Sequence, residues 1–358
     1  MRKRANLVLV AALLAAFAPL CRADSNASPL PLVQDGHYNR ARAILESRLQ
    51  ANPNDAEANW LLSQVYEASG RLKEALALAQ KAVDLAPKDA RYHYQLADVY
   101  GDMAEHASVF KQLGLAHHFK SETDTAVSLD PKFGEAWMAL IEFYVEAPGI
   151  AGGGKDKARS AAQTVASFDA SEGYLAAARI AQSEKDLAAQ EKGYKAAIAA
   201  NPRNYEAYLL LANFYVGKQK NNAEGERVAR SAVALHPDRI EAYVPLVTAL
   251  VSQNRWSDLD AVLDEAEKSV PDDFRPDYQA GRLILAQGGD LNRAEAYFRR
   301  YLSQEPEAGA PGLAAAHWRL SQVLEKEGNR PQAKVELEAA LRIQPDFPEA
   351  RQDLDRLR

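Results

Sequence analysis

Prolines recur along this chain at nearly constant intervals: Pro53, Pro87, Pro131, then Pro202, Pro237, Pro271, Pro306 and Pro345. The first interval is 34 residues, and those from Pro202 onward are 35, 34, 35 and 39. Between 131 and 202 Ala170 stands where one further rung belongs. A fixed period of this length constrains the fold more than composition does. One such unit cannot bury its own apolar face, so it must stack on copies of itself.

The residues between the rungs say what each unit is. From Ala56 to Lys88 the apolar and small positions are Trp60, Leu62, Tyr66, Gly70, Ala75, Ala82 and Pro87. The opening half returns as Trp137, Leu140, Tyr144, as Tyr208, Leu211, Tyr215 and as Tyr243, Leu246, Leu250. The closing half returns as Ala333, Leu337, Ala340, Pro345. Apolar residues three and four apart make one sticky helix face. Small residues let two antiparallel helices approach. Glycines such as Gly70 and Gly328 suit the turn between them. Proline cannot continue a helix interior, so it marks where the second helix stops and the next unit starts.

These residues resemble the tetratricopeptide-repeat pattern of Trp, Leu, Gly, Tyr, Ala, Phe, Ala and Pro, from Gly36 to Pro345. The chain is also similar to secreted bacterial members of that family. The resemblance implies an all-α, right-handed superhelical solenoid of antiparallel helix pairs. It has about eight full units, a leading half-unit (second helix only, Tyr38–Asn52) and a C-terminal capping helix over 348–358. Units are expected near 36–55, 56–89, 90–133, 134–170, 171–204, 205–239, 240–274, 275–313 and 314–347, after a short segment over 24–35.

Residues 1–23 read as a cleaved signal peptide. Arg2, Lys3 and Arg4 precede an apolar run from Leu7 to Leu20, and Cys21-Arg22-Ala23 offers small residues for a cut before Asp24. That run is short for a membrane span. Lipidation at Cys21 is disfavoured by Leu20 before it. The expectation is an exported, most readily periplasmic, protein with no integral membrane segment after cleavage. Cys21 is the only cysteine, so the remainder has no disulfide or thiol chemistry. Four of the 43 basic residues and none of the 49 acidic ones lie in the signal, which leaves a charge near −10. Such a chain lacks the basic footprint of a nucleic-acid binder.

Three units break the period. The third is ten residues longer, through Gly101–Ser121. Either both helices lengthen or a turn is added. Val109, Phe110, Leu113 and Leu115 are then expected to pack on neighbours, or else to form a ridge that a partner grips. The fourth unit carries APGIAGGGKDK over 147–157, where Gly149, Gly154 and Lys155 imitate a phosphate loop. Asp156 stands where that loop needs Ser or Thr, and no strand precedes it, so a nucleotide site is rejected. An anion on the backbone of Gly152, Gly153, Gly154 and Lys155 is the only binding reading left there. The third break, Glu307–Leu313, reads as a hinge or a tolerated loop insertion.

No catalytic motif appears, and no cofactor or metal is expected. His93 and His317 occupy the slot of a Trp or Tyr and should pack. His106, His117 and His118 cluster in the third unit, but neighbouring side chains on a helix point about 100° apart and do not chelate together. The family resemblance implies that the first helix of each unit lines a concave groove. That assigns Trp60, Tyr94 and Met138 as apolar anchors, edged by Gln64, Glu67, Asp98, Asp102, Glu142 and Glu146. Glu57, Glu135, Glu206 and Glu241 read as ordinary acids at helix N-termini. In the later units the same positions are mixed, with Arg179, Asn213, Arg282, Glu325 and Lys326. The function expected is a non-enzymatic protein-binding scaffold of the cell envelope. Its groove would hold a peptide or helix with apolar anchors and basic flanks. The alternative is a component of a polysaccharide-secretion or envelope-assembly machine that contacts glycan.

Overall fold

The computed structural model describes residues 28–357, apart from the side chain of Val109. The expected signal peptide, with Cys21, lies outside the described residues. Among them are 19 α-helices and no strand. They follow in pairs: α1 (Pro29–Gln34) with α2 (Tyr38–Ala51), α3 (Ala56–Ala68) with α4 (Leu72–Leu85), and α5 (Ala90–Glu105) with α6 (Val109–Leu129). Next come α7 (Gly134–Glu146) with α8 (Lys155–Phe168), α9 (Ala170–Ser183) with α10 (Leu187–Ala200), and α11 (Tyr205–Phe214) with α12 (Asn222–Leu235). Then α13 (Tyr243–Ser252) pairs with α14 (Trp256–Ser269), α15 (Arg275–Gln287) with α16 (Leu291–Tyr301), and α17 (Leu313–Lys326) with α18 (Arg330–Ile343). The last helix is α19 (Pro348–Leu357). It buries Ala350, Leu354 and Leu357 and covers the end of the stack.

The boundaries follow from local chemistry. At three unit junctions an Asp or Asn just past the proline caps the next helix. Asp55 accepts from the N–H of Ala58, Asp89 from Arg91 and Asn204 from Ala207. Where Ala170 replaces the proline, Asp169 alone ends α8 and caps α9 by accepting from the Glu172 N–H. The connection is so short that α9 packs against α8 at Gly173, where a Cβ would stand 2.6 Å from Ala166 Cα. Within most units the helix-to-helix turn carries a left-handed residue, the turn from α5 to α6 having none. Gly70, Gly288 and Gly328 fill that slot, but so do Lys185, Lys220 and Asn254.

Two features depart from the simple stack. The array opens on a short helix, α1, whose Pro29 and Val33 are buried, so the first unit is a stunted hairpin rather than a lone second helix. In the third unit both helices lengthen, to 16 residues in α5 and 21 in α6. The expected packing does not follow: Phe110 is 98% exposed and Leu113 41%. Among the described side chains of α6, Thr123 and Ala126 are the fully buried ones. The buried apolar residues accordingly form three clusters, over Val33–Val99, Ile141–Ile180 and Leu175–Leu357. The gap between the first two falls at α6. The first helices α3 and α5 pack on each other, as do α7 and α9, but α5 and α7 do not do so to the same degree.

The solenoid also curls back on itself. Asp35, in the first hairpin, pairs with Arg239 at 2.9 Å. Asp272 pairs with His37 at 3.4 Å and Arg40 at 2.8 Å. Asn39 donates its backbone N–H to Glu307 Oε2 at 2.8 Å and its side-chain amide to Pro306 O at 3.1 Å. Arg42 reaches Glu305 at 3.4 Å. The segment Glu307–Leu313 is therefore part of a polar seam. Glu307 is 2% exposed, and Tyr301 donates to Pro311 O from below. The N-terminal hairpin meets the junction loops before α13, α15 and α17, and the array closes into a ring.

Candidate functional site: an acidic groove across four units

Four successive first helices, α5, α7, α9 and α11, line a cavity of about 740 Å³ on the groove face. Its apolar floor is Tyr94, Met138, Leu175 and Leu210. Its polar lining is Asp98, Glu135, Glu142, Asp169, Glu172 and Glu206, against Lys132 and Arg179. Asp98, Glu135, Glu142, Glu172 and Glu206 come from successive first helices, with Asp169 at the junction before α9, so stacking converts a sequence period into a row of carboxylates.

Burial decides the character of that row. Burial pushes the Asp98 carboxyl up, and the charges of Asp102 and Glu142 push it further. Burial likewise raises Glu67, with Asp98 adding to it, although Gln95 donates to Glu67 at 2.6 Å. One oxygen of Glu67, Oε1, is buried without a hydrogen bond. Glu206 is raised by burial and then by Glu172 and Glu241. Glu172 is raised by burial too, although Asn204 donates to it at 3.0 Å. Tyr94, partly buried beside Asp98, is held well above the ordinary phenol value by burial. Of the two cations in the lining, Arg179 pairs with Glu142 at 2.8 Å and with Glu146. The groove thus concentrates like charge in partly desolvated positions, where each carboxylate disfavours its neighbours.

The assigned groove residues divide. Tyr94, Asp98, Met138 and Glu142 line this cavity. Asp102 and Glu146 line an adjoining cleft of about 670 Å³ that also touches Asp98 and Glu142. Trp60 lines neither. It belongs to the N-terminal core, tilted against Tyr92 at 5.6 Å with Arg91 over its ring at 4.9 Å. Gln64 and Glu67 line neither as well, Glu67 meeting the row through its charge. Glu135 and Glu206, which read as ordinary helix-start acids, are in the lining with Glu172. The sequence held the signal for them, the acids Glu135, Glu172 and Glu206 in the first turns of α7, α9 and α11, but not that these starts lean into one hollow.

The glycine turn offers no anion cradle. The N–H groups of Gly152, Gly153 and Gly154 all donate inside the turn, to Gly149 O, Pro148 O and Tyr144 O. Lys155 turns to Glu184 at 3.5 Å. Gly153 is required by close approach, since a Cβ there would lie 1.8 Å from Ala147 O. The packed histidines are bound by neighbours. His93 bridges Glu122 at 2.7 Å and Pro87 O at 3.0 Å, His317 meets Glu336 at 2.7 Å, and His118 stacks on Tyr100. Among the described residues no three His, Cys, Asp or Glu side chains converge to hold a metal ion.

Stacked helix pairs with a concave, ligand-sized groove define an all-α helical-repeat solenoid. The chain carries tetratricopeptide repeats: models of the tetratricopeptide repeat match residues 32–99 and 314–347. Curated relatives include Superkiller complex protein 3 of Mus musculus, 28% identical over 120 residues, which are 34% of this chain and 7% of that protein. The Homo sapiens counterpart is 28% identical over 114 residues, 32% of this chain and 7% of its own length. The chain thus spans a small fraction of the curated relatives it matches. Solved structures similar to it include a thermophilic tetratricopeptide-repeat protein of Thermus thermophilus, at 17% identity and TM-score 0.38, covering 62% of this chain and 95% of that one. Another is pilF of Pseudomonas aeruginosa, at 14% identity and TM-score 0.37, covering 73% and 97%. Repeats of this family generally mediate protein–protein interactions and are generally not catalytic.

Proposed function

We propose that this protein is a non-enzymatic scaffold that holds a segment of a partner protein in the groove across α5, α7, α9 and α11. The observation that carries this reading is the row of crowded, half-buried carboxylates over an apolar floor. An extended or helical segment with large apolar side chains and lysine or arginine flanks would fill the floor and neutralise the row. The character of the first 23 residues supports an exported, periplasmic setting, and no described helix is long and apolar enough to cross a membrane.

The test is a pull-down from an envelope extract on the immobilised protein, with and without Asp98→Lys plus Glu206→Lys. A defined partner with a basic segment should be recovered at low salt, and its recovery should fall at least tenfold in the double variant. Recovery equal in the two, with circular dichroism unchanged, rejects the groove as the binding face.

A further inference from the structure

The cleft beside the groove belongs to no regular part of the repeat. The second helices α4, α8, α10, α12 and α14 each have 14 residues, whereas α6 has 21. The seven extra residues project about 10 Å beyond the stack at the helix rise of 1.5 Å per residue. They sit over the C-terminal ends of α5 and α7 and the turn that follows α7. Phe110 and Leu113, three residues apart, share one side of this overhang. Leu113 joins Phe119, Phe143 and Ile150 in lining the cleft of about 670 Å³. Phe110 is 98% exposed, Ile150 84% and Leu113 41%. Apolar side chains grouped at a lip in this way mark a contact surface rather than scattered exposure.

The rim states which contact. Asp102, Glu105, Glu142 and Glu146 surround the cleft. Arg179 answers two of them, Glu142 and Glu146, and His106 lies beside Asp102. The remaining charge is negative, which disfavours both an anionic surface and a second copy of the same acidic rim. We propose that the cleft between α5, α6 and α7 is a second docking surface, taking an amphipathic helix of a protein partner whose apolar face carries Leu or Phe and whose flanks carry Lys or Arg. This surface is distinct from the groove floor at Leu175 and Leu210 and stands whether or not the groove reading does.

The probe is a fluorescein-labelled 18-residue peptide of Leu and Lys patterned as an amphipathic helix, read by fluorescence anisotropy on the whole protein. Two controls are the same composition scrambled and a Leu/Glu counterpart. The patterned Leu/Lys peptide should bind saturably at one per chain. Leu113→Asp with Ile150→Asp should weaken it at least tenfold, as should Glu105→Lys with Glu146→Lys. Glu172→Lys with Glu206→Lys, in the groove, should leave it within twofold. Circular dichroism checks that every variant is folded. The proposal is overturned if the peptide does not bind, or if the first double variant binds within twofold of the parent. It is equally overturned if the scrambled or Leu/Glu peptide competes as well, or if the groove variant abolishes binding. Sedimentation equilibrium supplies the last arm. A dimer that Leu113→Asp with Ile150→Asp dissolves would show that a second copy occupies the cleft, and would also overturn the proposal.

Discussion

The backbone N–H of Asn39 donates to the carboxylate of Glu307 at 2.8 Å across 268 residues of chain. That bond ties the first hairpin to the junction before α17 and closes the solenoid. Its surroundings are polar: Asp35 with Arg239, Asp272 with His37 and Arg40, Arg42 with Glu305. Ion pairs at such partly exposed positions contribute roughly 0–1 kcal/mol each. A seam of this kind holds a shape without dominating stability.

Replacing Asp272 by Arg would remove the acceptor beside His37 and set a second cation against Arg40. The ring is expected to open, so that the radius of gyration from small-angle X-ray scattering rises beyond its fitting error. Melting temperature should change little, because the helix-pair cores lie elsewhere. An unchanged scattering profile would show that the seam does not set the curvature.

Glu307 makes the seam sensitive to pH. Burial pushes its carboxyl up to about 7, with Asp272 and Asp273 adding to the shift and His37 and the Asn39 N–H opposing it. Its second oxygen, Oε1, is buried without a partner, which is where a proton would sit. A carboxyl raised in the folded state contributes stability that is complete below its unfolded value near 4.5 and is lost as pH rises through about 7. Glu307→Gln removes the charge and keeps an acceptor. The variant should equal the parent in urea denaturation at pH 4.5 and exceed it at pH 8 by on the order of 1 kcal/mol, the shift being discounted for screening at the seam. A difference that is the same at both pH values would contradict this assignment.

Asp98 should show the same linkage in the groove, with a functional penalty. Its carboxyl is raised by burial and by Asp102 and Glu142, so Asp98→Asn is expected to increase stability above neutral pH. If the row recognises basic flanks, the same substitution weakens partner binding several-fold, on the order of 1 kcal/mol for one charge-assisted contact. Thermal melts and binding isotherms on one preparation check both halves. A variant that is more stable and binds as well as the parent would dissociate the carboxylate from recognition.

Gly173 should reverse an ordinary rule. Glycine to alanine inside an exposed helix stabilises by roughly 1 kcal/mol. Here the added Cβ would stand 2.5 Å from Ala166 Cβ and 2.6 Å from its Cα, with α8 and α9 joined through Asp169 alone. Overpacking against backbone costs about 1–3 kcal/mol, so Gly173→Ala should be destabilising on balance. A chemical-denaturation midpoint that rises would mean the pair separates freely.

What was legible in advance was whatever repeats. The proline spacing and the small Ala75 and Ala82 each act within one unit, through contacts a few residues apart. Local chemistry of that sort reads directly from order along the chain. Tyr94, Asp98, Met138 and Glu142 are assigned to the groove through the family resemblance, which places first helices on the concave face, and they line the cavity. Trp60, assigned with them, does not line it, because whether a slot is open or packed depends on the neighbouring unit, and there Tyr92 closes over it.

The sequence by itself determined the all-α repeat, the rhythm of its helix pairs and the surplus of acid on one helix face. Only the tertiary structure decided which acids meet in one hollow, that Phe110 and Leu113 overhang rather than pack, and that Glu307 lies beneath Asn39. Those outcomes depend on how far each unit rotates against the last. That rotation is set by side-chain packing at every interface, and it accumulates along the stack until residues hundreds of positions apart come into contact.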